Sequence, residues 1–358
     1  MGPYFQEIYG NPSSLHSIGQ RAAEALDDAR GRIAACLGAQ KQEIYFTSGG
    51  SEADNQALIS AAALGKKQGK CHIISTAMEH HAILHTLEAL EEQGFTVTLL
   101  RPQADGIVTA TQVAEAITDT TCLISVMYAN NETGAIQPIR EIGALCRKRG
   151  VLFHTDAVQA AGHLTINVQR DNIDMLSLSA HKFHGPKGIG LLFAKSNIQL
   201  TSLIRGGGQE RGKRAGTENL PSIIGLATAL KDAQEHMQQN TAYITGLRDA
   251  LRNGLDKIDG AGFNGSREHC LPGTVNYSFQ GVNGETLLSL LSNEGICCSS
   301  GSACSAGSLE PSHVLLALGL SHETAKSALR FSLCEYNTMD EVQTIITKVT
   351  EAVNRLRR

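Results

Sequence analysis

The sequence carries neither an excess of basic residues nor a long hydrophobic run. It has 31 Lys and Arg against 35 Asp and Glu, which gives a formal net charge of −4. Proteins that bind nucleic acid through phosphate contacts usually carry a basic excess. No apolar stretch approaches the ~18 residues that span a bilayer, and residues 1–10 contain neither the basic nor the apolar region of a secretory signal. We therefore expect a cytoplasmic protein that binds neither nucleic acid nor a membrane directly.

The nine cysteines form no familiar disulfide or metal pattern. Their number is odd and no C-x-x-C occurs, which predicts reduced thiols, as in cytoplasmic proteins. His81 and His85 have the i,i+4 spacing of metal ligands, but neither an H-E-x-x-H sequence nor a third ligand accompanies them, so we expect no metal. A single imidazole at this predicted strand–helix junction is better placed to stack on a ring or to transfer protons.

Short apolar runs alternate with segments of helical spacing in the first half of the chain. Such runs are typical of strands buried on both faces, and their alternation with helices predicts an α/β fold with a mainly parallel sheet. Ser13 or Ser14 is the expected N-cap of the first helix, and Gly38 its end. The predicted strands are 43–47, 72–75, 95–100, 121–128, 151–155 and 174–179, and the predicted helices are 15–37, one from Ser51, 80–93, 111–118 and 138–149.

The pattern changes after about residue 219 and predicts a second, smaller α+β domain. We expect a large domain over 16–235 and a small domain over 236–358. The predicted helices of this part are 219–238, 241–257, 284–292, 311–318 and 338–356, and the predicted strands are 273–279 and 328–333.

A lysine directly follows the apolar run 175–178, in the sequence S-A-H-K-F-H-G-P-K-G. Lysines avoid such positions unless they are paired or used. Lys182, held at a strand end in a partly dry site, would lose its proton readily and could form a Schiff base. The spacing alone leaves open the alternative that Lys182 is an ordinary surface-loop lysine.

Two further segments are typical of a ligand site at the edge of an α/β sheet. Asp156, in H-T-D-A-V-Q, follows an apolar strand and would need a cationic partner there, such as a pyridinium nitrogen. An N-cap role for Asp156 is the competing interpretation. The sequence T-S-G-G-S-E, from Thr47, stands between a strand and a helix, where backbone N–H groups and the helix dipole favour a phosphate.

A cysteine stands among small residues in S-S-G-S-A-C-S-A-G. We expect Cys304 to be exposed and reactive, whereas Cys297 and Cys298 precede it in a strand-like context and are expected to lie in the core. Their clustering could also indicate a metal site, but the spacing fits no common ligand pattern.

Taken together, these motifs resemble those of a cysteine desulfurase of the NifS/IscS class, a fold-type I enzyme of the class V aminotransferase family that depends on pyridoxal 5'-phosphate. The resemblance covers the whole chain, and the cysteine loop resembles that of the long-loop group I enzymes. The matching segments, in chain order, are TSGGSEADN, MEHHAI, YANNETG, HTDAVQ, SLSAHKFHGPKGIG, RGGGQERGKRAGT, SSGSACSAG and ALRFSL.

The resemblance implies roles for individual residues. Lys182 would hold the cofactor aldehyde, and His80 would stack on the ring and assist proton transfer. Arg330 would bind the substrate carboxylate, and Cys304 would accept the substrate sulfur as a persulfide. The remaining implied contacts are Asp156 with the ring nitrogen, Gln159 with the ring oxygen, Asn131 beside ring and substrate, and Gly50, Ser51, Ser179 and His181 with the phosphate, while Thr217 would reach a phosphate in the partner subunit.

The implied activity is conversion of L-cysteine to L-alanine by a homodimer with shared active sites. The sulfur would pass to an acceptor protein of Fe–S cluster assembly or of tRNA thiolation. The sequence departs from the family in one respect, because relatives usually carry a D-N-A-A-T-like strand well before the Y-G-N-P-S-S found here from Tyr9. Residues 1–15 would then be a remaining N-terminal part of the small domain.

Two alternatives stay open at this stage. The chain could be a truncated, poorly active homologue that binds pyridoxal phosphate and acts as a partner-binding protein. It could also be another fold-type I lyase or transaminase. The Cys304 loop argues against the second alternative, because such enzymes need no reactive thiol in a loop.

Overall fold

The computed structural model describes residues 1–300 and 310–358. Its described residues divide into two compact units. The first contains Met1–Leu100, Thr109–Tyr128 and Pro138–Met237, and the second contains Arg101–Val108, Ala129–Gln137 and Gln238–Arg358. Residues 1–15, which we assigned to the small domain, fall within the first unit, where the Met1 side chain lies against Gly225.

In the first unit, the described strands form one seven-stranded sheet in the order β1-β7-β6-β5-β4-β2-β3. Only β7 runs antiparallel to its neighbours, β1 and β6. The remaining neighbours pair in parallel, which confirms the predicted fold class. The strands are β1 (Ile44–Thr47), β2 (His72–Thr76), β3 (Thr96–Leu100), β4 (Thr121–Ser125), β5 (Leu152–Asp156), β6 (Met175–Ser179) and β7 (Gly190–Ala194).

Burial explains why these short runs form strands. Every residue of β2, β4, β6 and β7 is buried, so the strands need apolar side chains on both faces. Helix α3 covers the sheet, and its Leu58 packs with Ile73 and Leu123 in a core where all three are fully buried. Each such side chain contributes about 1.5–3 kcal/mol to folding. The helices of this unit are α1 (Pro3–Gln6), α2 (Ser17–Leu37), α3 (Gly50–Lys67), α4 (His81–Glu91), α5 (Ala110–Ala116), α6 (Ile139–Arg149) and the short turn α7 (Gln209–Gly212).

Helix α2 ends as the sequence predicted but begins later. Gly38 adopts the left-handed conformation with φ 67°, which ends the helix. The N-cap is His16, whose Nδ1 accepts a hydrogen bond from the Gly19 N–H at 3.2 Å, so the prediction of Ser13 or Ser14 was wrong. An imidazole nitrogen satisfies the same free N–H group that a serine hydroxyl would.

The second unit holds a three-stranded antiparallel sheet in the order β10-β9-β8. Its core combines Tyr277 and Phe279 of β9 with Leu287 of α9 and Val349 of α12. The strands are β8 (Ala261–Phe263), β9 (Thr274–Phe279) and β10 (Ala328–Ser332), and the helices are α9 (Gly284–Asn293), α10 (His313–Ala317), α11 (His322–Lys326) and α12 (Met339–Leu356), while α8 (Leu220–Leu255) continues from the first unit.

Several predicted elements differ from the structure. The two predicted helices 219–238 and 241–257 are the single helix α8, because nothing between them breaks a helix. Strand β7, the short strand β8 and helix α11 were not predicted. Strand β4 ends at Ser125, three residues before the prediction. In residues 1–300 and 310–358, no helix combines the length and apolar character needed to cross a membrane.

Candidate active site

Lys182 lies just past the end of β6, in a 3₁₀ turn over Ala180–Phe183. His184 closes this turn in the left-handed conformation with φ 61°. The turn directs Lys182 outward, so that it is exposed and not partly buried as the sequence suggested. The lysine therefore lies at the carboxyl edge of the sheet, where α/β proteins bind small molecules.

Asp156 is the last residue of β5, the strand next to β6. Its Oδ1 accepts a hydrogen bond from the Val158 N–H at 2.9 Å. Burial raises the pKa of Asp156 to about 6, while the Val158 N–H and the positive charge of Lys182 act in the opposite direction. Because burial disfavours its ionised form, this carboxyl suits a cationic ring nitrogen as its partner.

The N-terminus of α3 forms an anion cradle beside these residues. Its N-cap, Gly49, offers no side-chain hydrogen bond to the first turn, so the N–H groups of Gly50 and Ser51 face the end of the helix. A methyl group at Gly50 would lie 2.7 Å from Cγ2 of Val158, so only glycine fits there. Ser179 is buried at the end of β6 and its Cβ lies next to the same position.

The cradle, Asp156 and Lys182 thus fit a phosphorylated pyridine aldehyde. The 18-residue helix α3 could offer N–H groups and a dipole to the phosphate. Asp156 could offer a buried carboxylate to the ring nitrogen, and Lys182 is exposed at the same edge of the sheet.

His80 is the N-cap of α4, and its Nδ1 accepts the Ala82 N–H at 3.1 Å. This bond fixes the ring and places the proton of the neutral imidazole on Nε2. The rings of His81 and His85 lie 5.0 Å apart on the same helix. Across the described ranges, no group of three or more His, Cys, Asp or Glu could hold a metal ion.

Three other predicted cofactor residues also lie in the first unit. Gln159 is half-buried in the turn after β5, and His181 is exposed next to Lys182. Partial burial and the charges of Lys182 and Lys187 lower the pKa of His181, which keeps its ring neutral. Thr217 lines a cavity of about 130 Å³ together with Ser48.

Arg330 and Asn131 lie together in the second unit. Nη1 of Arg330 donates to the backbone oxygen of Asn131 at 2.9 Å, and Nη2 donates to Oγ of Ser299 at 3.3 Å. The backbones of Ser299 and Arg330 are also hydrogen-bonded to each other in both directions. Burial raises the pKa of neighbouring Glu132, and a hydrogen bond from Ser312 opposes that rise. These contacts fix the guanidinium in one orientation, as carboxylate recognition requires.

The structure agrees with the predicted burial of one cysteine near the Cys304 loop and disagrees for another. Cys297 is exposed and lies outside the strands, so its assignment to the core was wrong. The chain leaves α9 at Asn293, and only Cys298 turns toward the core of the second unit, where it is half-buried. Cys304 lies outside the described residues.

A buried polar cluster under the sheet edge was missed by the sequence analysis. His154 of β5 is fully buried, with Nδ1 2.9 Å from Oγ of Ser125 and Nε2 3.0 Å from Oγ of Ser177. Burial lowers the pKa of His154 to about 3, so the ring is neutral. Asp54 of α3 lies 3.7 Å from the same Nε2, and burial followed by the nearby charge of Asp156 raises its pKa well above the ordinary value. The sequence did contain one indication of this cluster, because Asp54 is a charged residue that stands between alanines on a buried face of its helix.

Residues 1–345 match the family described as Aminotransferase class-V. The chain belongs to the class V aminotransferase family. Its members depend on pyridoxal phosphate, and the match confirms the family and fold predicted from the motifs.

Relatives and solved structures agree on the branch of the family. The chain is 49% identical over 360 residues to a protein named cysteine desulfurase IscS from Clostridium botulinum, covering 100% of this chain and 90% of the relative. It is 47% identical over 357 residues to a protein of the same name from Methanosarcina thermophila, covering 100% and 88%. Its structure is similar to that of a NifS-like protein with a TM-score of 0.92 and 37% identity, covering 99% of this chain and 94% of the other. These similarities confirm the prediction of a cysteine desulfurase.

Proposed function

We propose that the protein is a pyridoxal-phosphate-dependent cysteine desulfurase that converts L-cysteine to L-alanine and passes the sulfur through a persulfide on Cys304. The convergence of Lys182, Asp156 and the α3 N-terminus at one edge of the large sheet is the observation that carries the proposal. A solved structure titled SspA in complex with cysteine, 40% identical to this chain with a TM-score of 0.81, supports the choice of substrate.

In this proposal the cofactor is held at four points. The amine of Lys182 would bind the aldehyde, and the α3 N-terminus with Ser179 and His181 would bind the phosphate. Gln159 would donate to the ring oxygen, and Asp156 would pair with the ring nitrogen. Thr217 binds a phosphate in the partner subunit of a homodimer. When bound, the cofactor withdraws electrons from the α-carbon of an attached amino acid.

The protein side chains control the protons in this scheme. Asp156 would hold a proton on the ring nitrogen, because an ion pair in a buried place favours the charged forms of both groups. His80, whose ring is oriented by the Ala82 N–H, would stack on the ring and could transfer protons through Nε2. Arg330 binds the substrate carboxylate through the guanidinium that Asn131 and Ser299 orient.

Cys304 carries out the sulfur transfer. Its thiolate Sγ attacks the substrate sulfur, the Cβ–S bond of the substrate breaks, and an S–S bond forms on the enzyme. The electron pair of the broken bond stays with Cβ, which takes up the proton lost by the substrate thiol and becomes the methyl group of alanine. A thiolate is the nucleophile that this step requires. The persulfide then passes its sulfur to an acceptor protein of Fe–S cluster assembly or tRNA thiolation in the cytoplasm.

The test is to incubate the purified protein with pyridoxal phosphate, L-cysteine and a reductant and to measure sulfide and alanine. The proposal expects equal amounts of both products and loss of both in Cys304→Ser. Cys297→Ser, which removes an exposed thiol seven positions earlier in the sequence, is the matched control and should keep full turnover. Alanine without sulfide, or turnover retained in Cys304→Ser, would refute the assigned chemistry. Binding of pyridoxal phosphate without either product would favour a partner-binding homologue.

A further inference from the structure

The proposed phosphate cradle contains a negatively charged residue. Glu52 is the third residue of α3, in the same first turn whose N–H groups face the cradle. A carboxylate in this turn interacts favourably with the helix dipole, but it repels a phosphate dianion that binds to the same N–H groups. The proposed function therefore requires something to offset the charge of Glu52.

Arg214 supplies that charge from the glycine-rich segment 205–217. Its Nε donates to Oε1 of Glu52 at 2.9 Å, and its Nη2 donates to Oε2 at 3.3 Å. Oε2 also accepts the Ser48 N–H at 2.7 Å. The side chains of Arg214 and Glu52 are only 25% and 12% exposed, so solvent screens the pair weakly. Burial acts to raise the pKa of Glu52, but the bonds from Arg214 and Ser48 outweigh it, so the carboxylate stays ionised.

Hydrogen bonds at separate points hold the segment around Arg214 against other parts of the first unit. Nε2 of Gln56, one turn further along α3, donates to the backbone oxygen of Lys213 at 2.8 Å. Glu210 forms a buried two-bond ion pair with Arg30 of α2, at 2.7 and 2.9 Å. These bonds hold Glu210 and its neighbour in left-handed backbone conformations, with φ 47° and 57°. The guanidinium of Arg214 is thus presented to Glu52 by a fixed backbone.

Arg214 also connects the cradle to Thr217. Arg214, Thr217 and Ser48 line the same cavity of about 130 Å³. Between Arg214 and Thr217 stand two residues, one of them Gly216 with φ 101°. The ion pair with Glu52 therefore links the cradle of one chain to Thr217 of the same chain, which is proposed to bind the phosphate of the partner subunit.

We propose that Arg214 is a positioning residue for phosphate recognition, which acts by neutralising Glu52 so that the α3 N-terminus accepts the phosphate dianion of the cofactor. This inference rests on the proposed function, because it takes that cradle as the phosphate site. It predicts a particular relation between two substitutions. Loss of Arg214 alone exposes the charge of Glu52, whereas loss of both charges removes the conflict.

The experiment compares wild type, Arg214→Gln, Glu52→Gln and the double variant as apoproteins. Equilibrium binding of pyridoxal phosphate and of pyridoxal, which lacks the phosphate, is measured by absorbance. Arg214→Gln should weaken pyridoxal phosphate binding about 10–100-fold and leave pyridoxal binding unchanged, because one uncompensated charge acts on a dianion in a half-buried place. Glu52→Gln should bind pyridoxal phosphate at least as tightly as wild type. The double variant should recover to within about threefold of wild type, since the two effects cancel.

Arg211→Gln is the matched control. Arg211 belongs to the same segment, but its Nη2 donates to the backbone oxygen of Ile44 at 2.6 Å and its guanidinium lies 4.1 Å from the centre of the Tyr45 ring. Its loss removes an arginine but leaves the charge of Glu52 neutralised by Arg214. The ratio of the affinities for pyridoxal phosphate and pyridoxal should therefore stay at the wild-type value. The deficit of Arg214→Gln should also shrink as salt is raised, which a packing defect would not do.

The outcomes separate the two proposals. If wild type does not bind pyridoxal phosphate, the proposed function fails. If wild type binds but the double variant is as weak as Arg214→Gln, Arg214 acts by holding the backbone and the inference is overturned. Equal weakening by Glu52→Gln alone, or equal loss of pyridoxal binding, would overturn it as well. Circular dichroism of each apoprotein establishes that the comparison is made between folded chains.

Discussion

Glu79, directly before His80, offers a quantitative test of the buried electrostatics at the sheet edge. Its side chain is fully buried, and Oε1 accepts hydrogen bonds from Oγ1 of Thr76 at 2.7 Å and from the Met127 N–H at 2.9 Å. Burial raises its pKa from 4.5 to about 8, even though both of these bonds favour the ionised form. The folded protein therefore keeps Glu79 protonated at neutral pH.

The pH dependence of stability follows from the difference between the pKa of Glu79 in the folded protein and its pKa in the unfolded chain. The folded state holds the proton up to about pH 8, while the unfolded chain releases it near pH 4.5. The contribution of Glu79 to stability is thus fully present below pH 4.5 and is lost progressively as the pH rises to about 8. At about 1.4 kcal/mol for each pH unit, the total is about 5 kcal/mol, of which about 3 kcal/mol falls between pH 5.5 and 8.

Glu79→Gln replaces the protonated acid by a neutral group of the same shape and removes this dependence. The free energy of unfolding of the variant, relative to wild type, should rise by about 3 kcal/mol between pH 5.5 and 8. Urea unfolding of both apoproteins across this pH range measures the difference, and other titrating groups cancel between them. A constant difference across the range would refute the reasoning, because it would mean that Glu79 is ionised in the folded protein.

Three further predictions concern ligand binding. Lys182→Ala should still bind pyridoxal phosphate but without the visible absorption band of the covalently held cofactor, and an unchanged band would assign the attachment to another lysine. Arg330→Ala should raise the KM for cysteine by roughly 30–1000-fold, equivalent to about 2–4 kcal/mol for a lost charged pair, with cofactor affinity unchanged; an unchanged KM would remove Arg330 from the substrate site. Asp156→Asn should weaken cofactor binding, because the ring nitrogen loses its buried anionic partner, and an unchanged affinity would remove Asp156 from the cofactor site.

Local sequence spacing was enough to predict that several candidate site residues lie at the ends of strands or at the start of a helix. Asp156 ends β5, Lys182 follows β6 and the glycines from Gly49 begin α3, because each position is set by its own strand and the turn after it. Strand β7 was missed because its apolar run directly follows the glycine-rich turn, and its pairing with β1 joins distant parts of the chain.

Contacts between distant residues left no signal in the spacing. Glu52 and Arg214 are 162 residues apart, and nothing near either one predicts the ion pair. The cluster of Asp54, His154 and Ser177 likewise depends on how α3 crosses the sheet. Cys297 is exposed because of the direction in which the chain leaves α9. The small residues around Cys297 in the sequence do not indicate that direction.

The central claim is that Cys304 receives sulfur from L-cysteine in a reaction that needs pyridoxal phosphate. Mass spectrometry of the protein after brief treatment with cysteine, without reductant, tests it most directly. The account predicts the added mass of one sulfur atom on Cys304, assigned by fragment ions that separate it from Cys297 and Cys298, and no addition in Lys182→Ala. Sulfur on Cys297 or Cys298 instead, or equal addition without the cofactor, would contradict it.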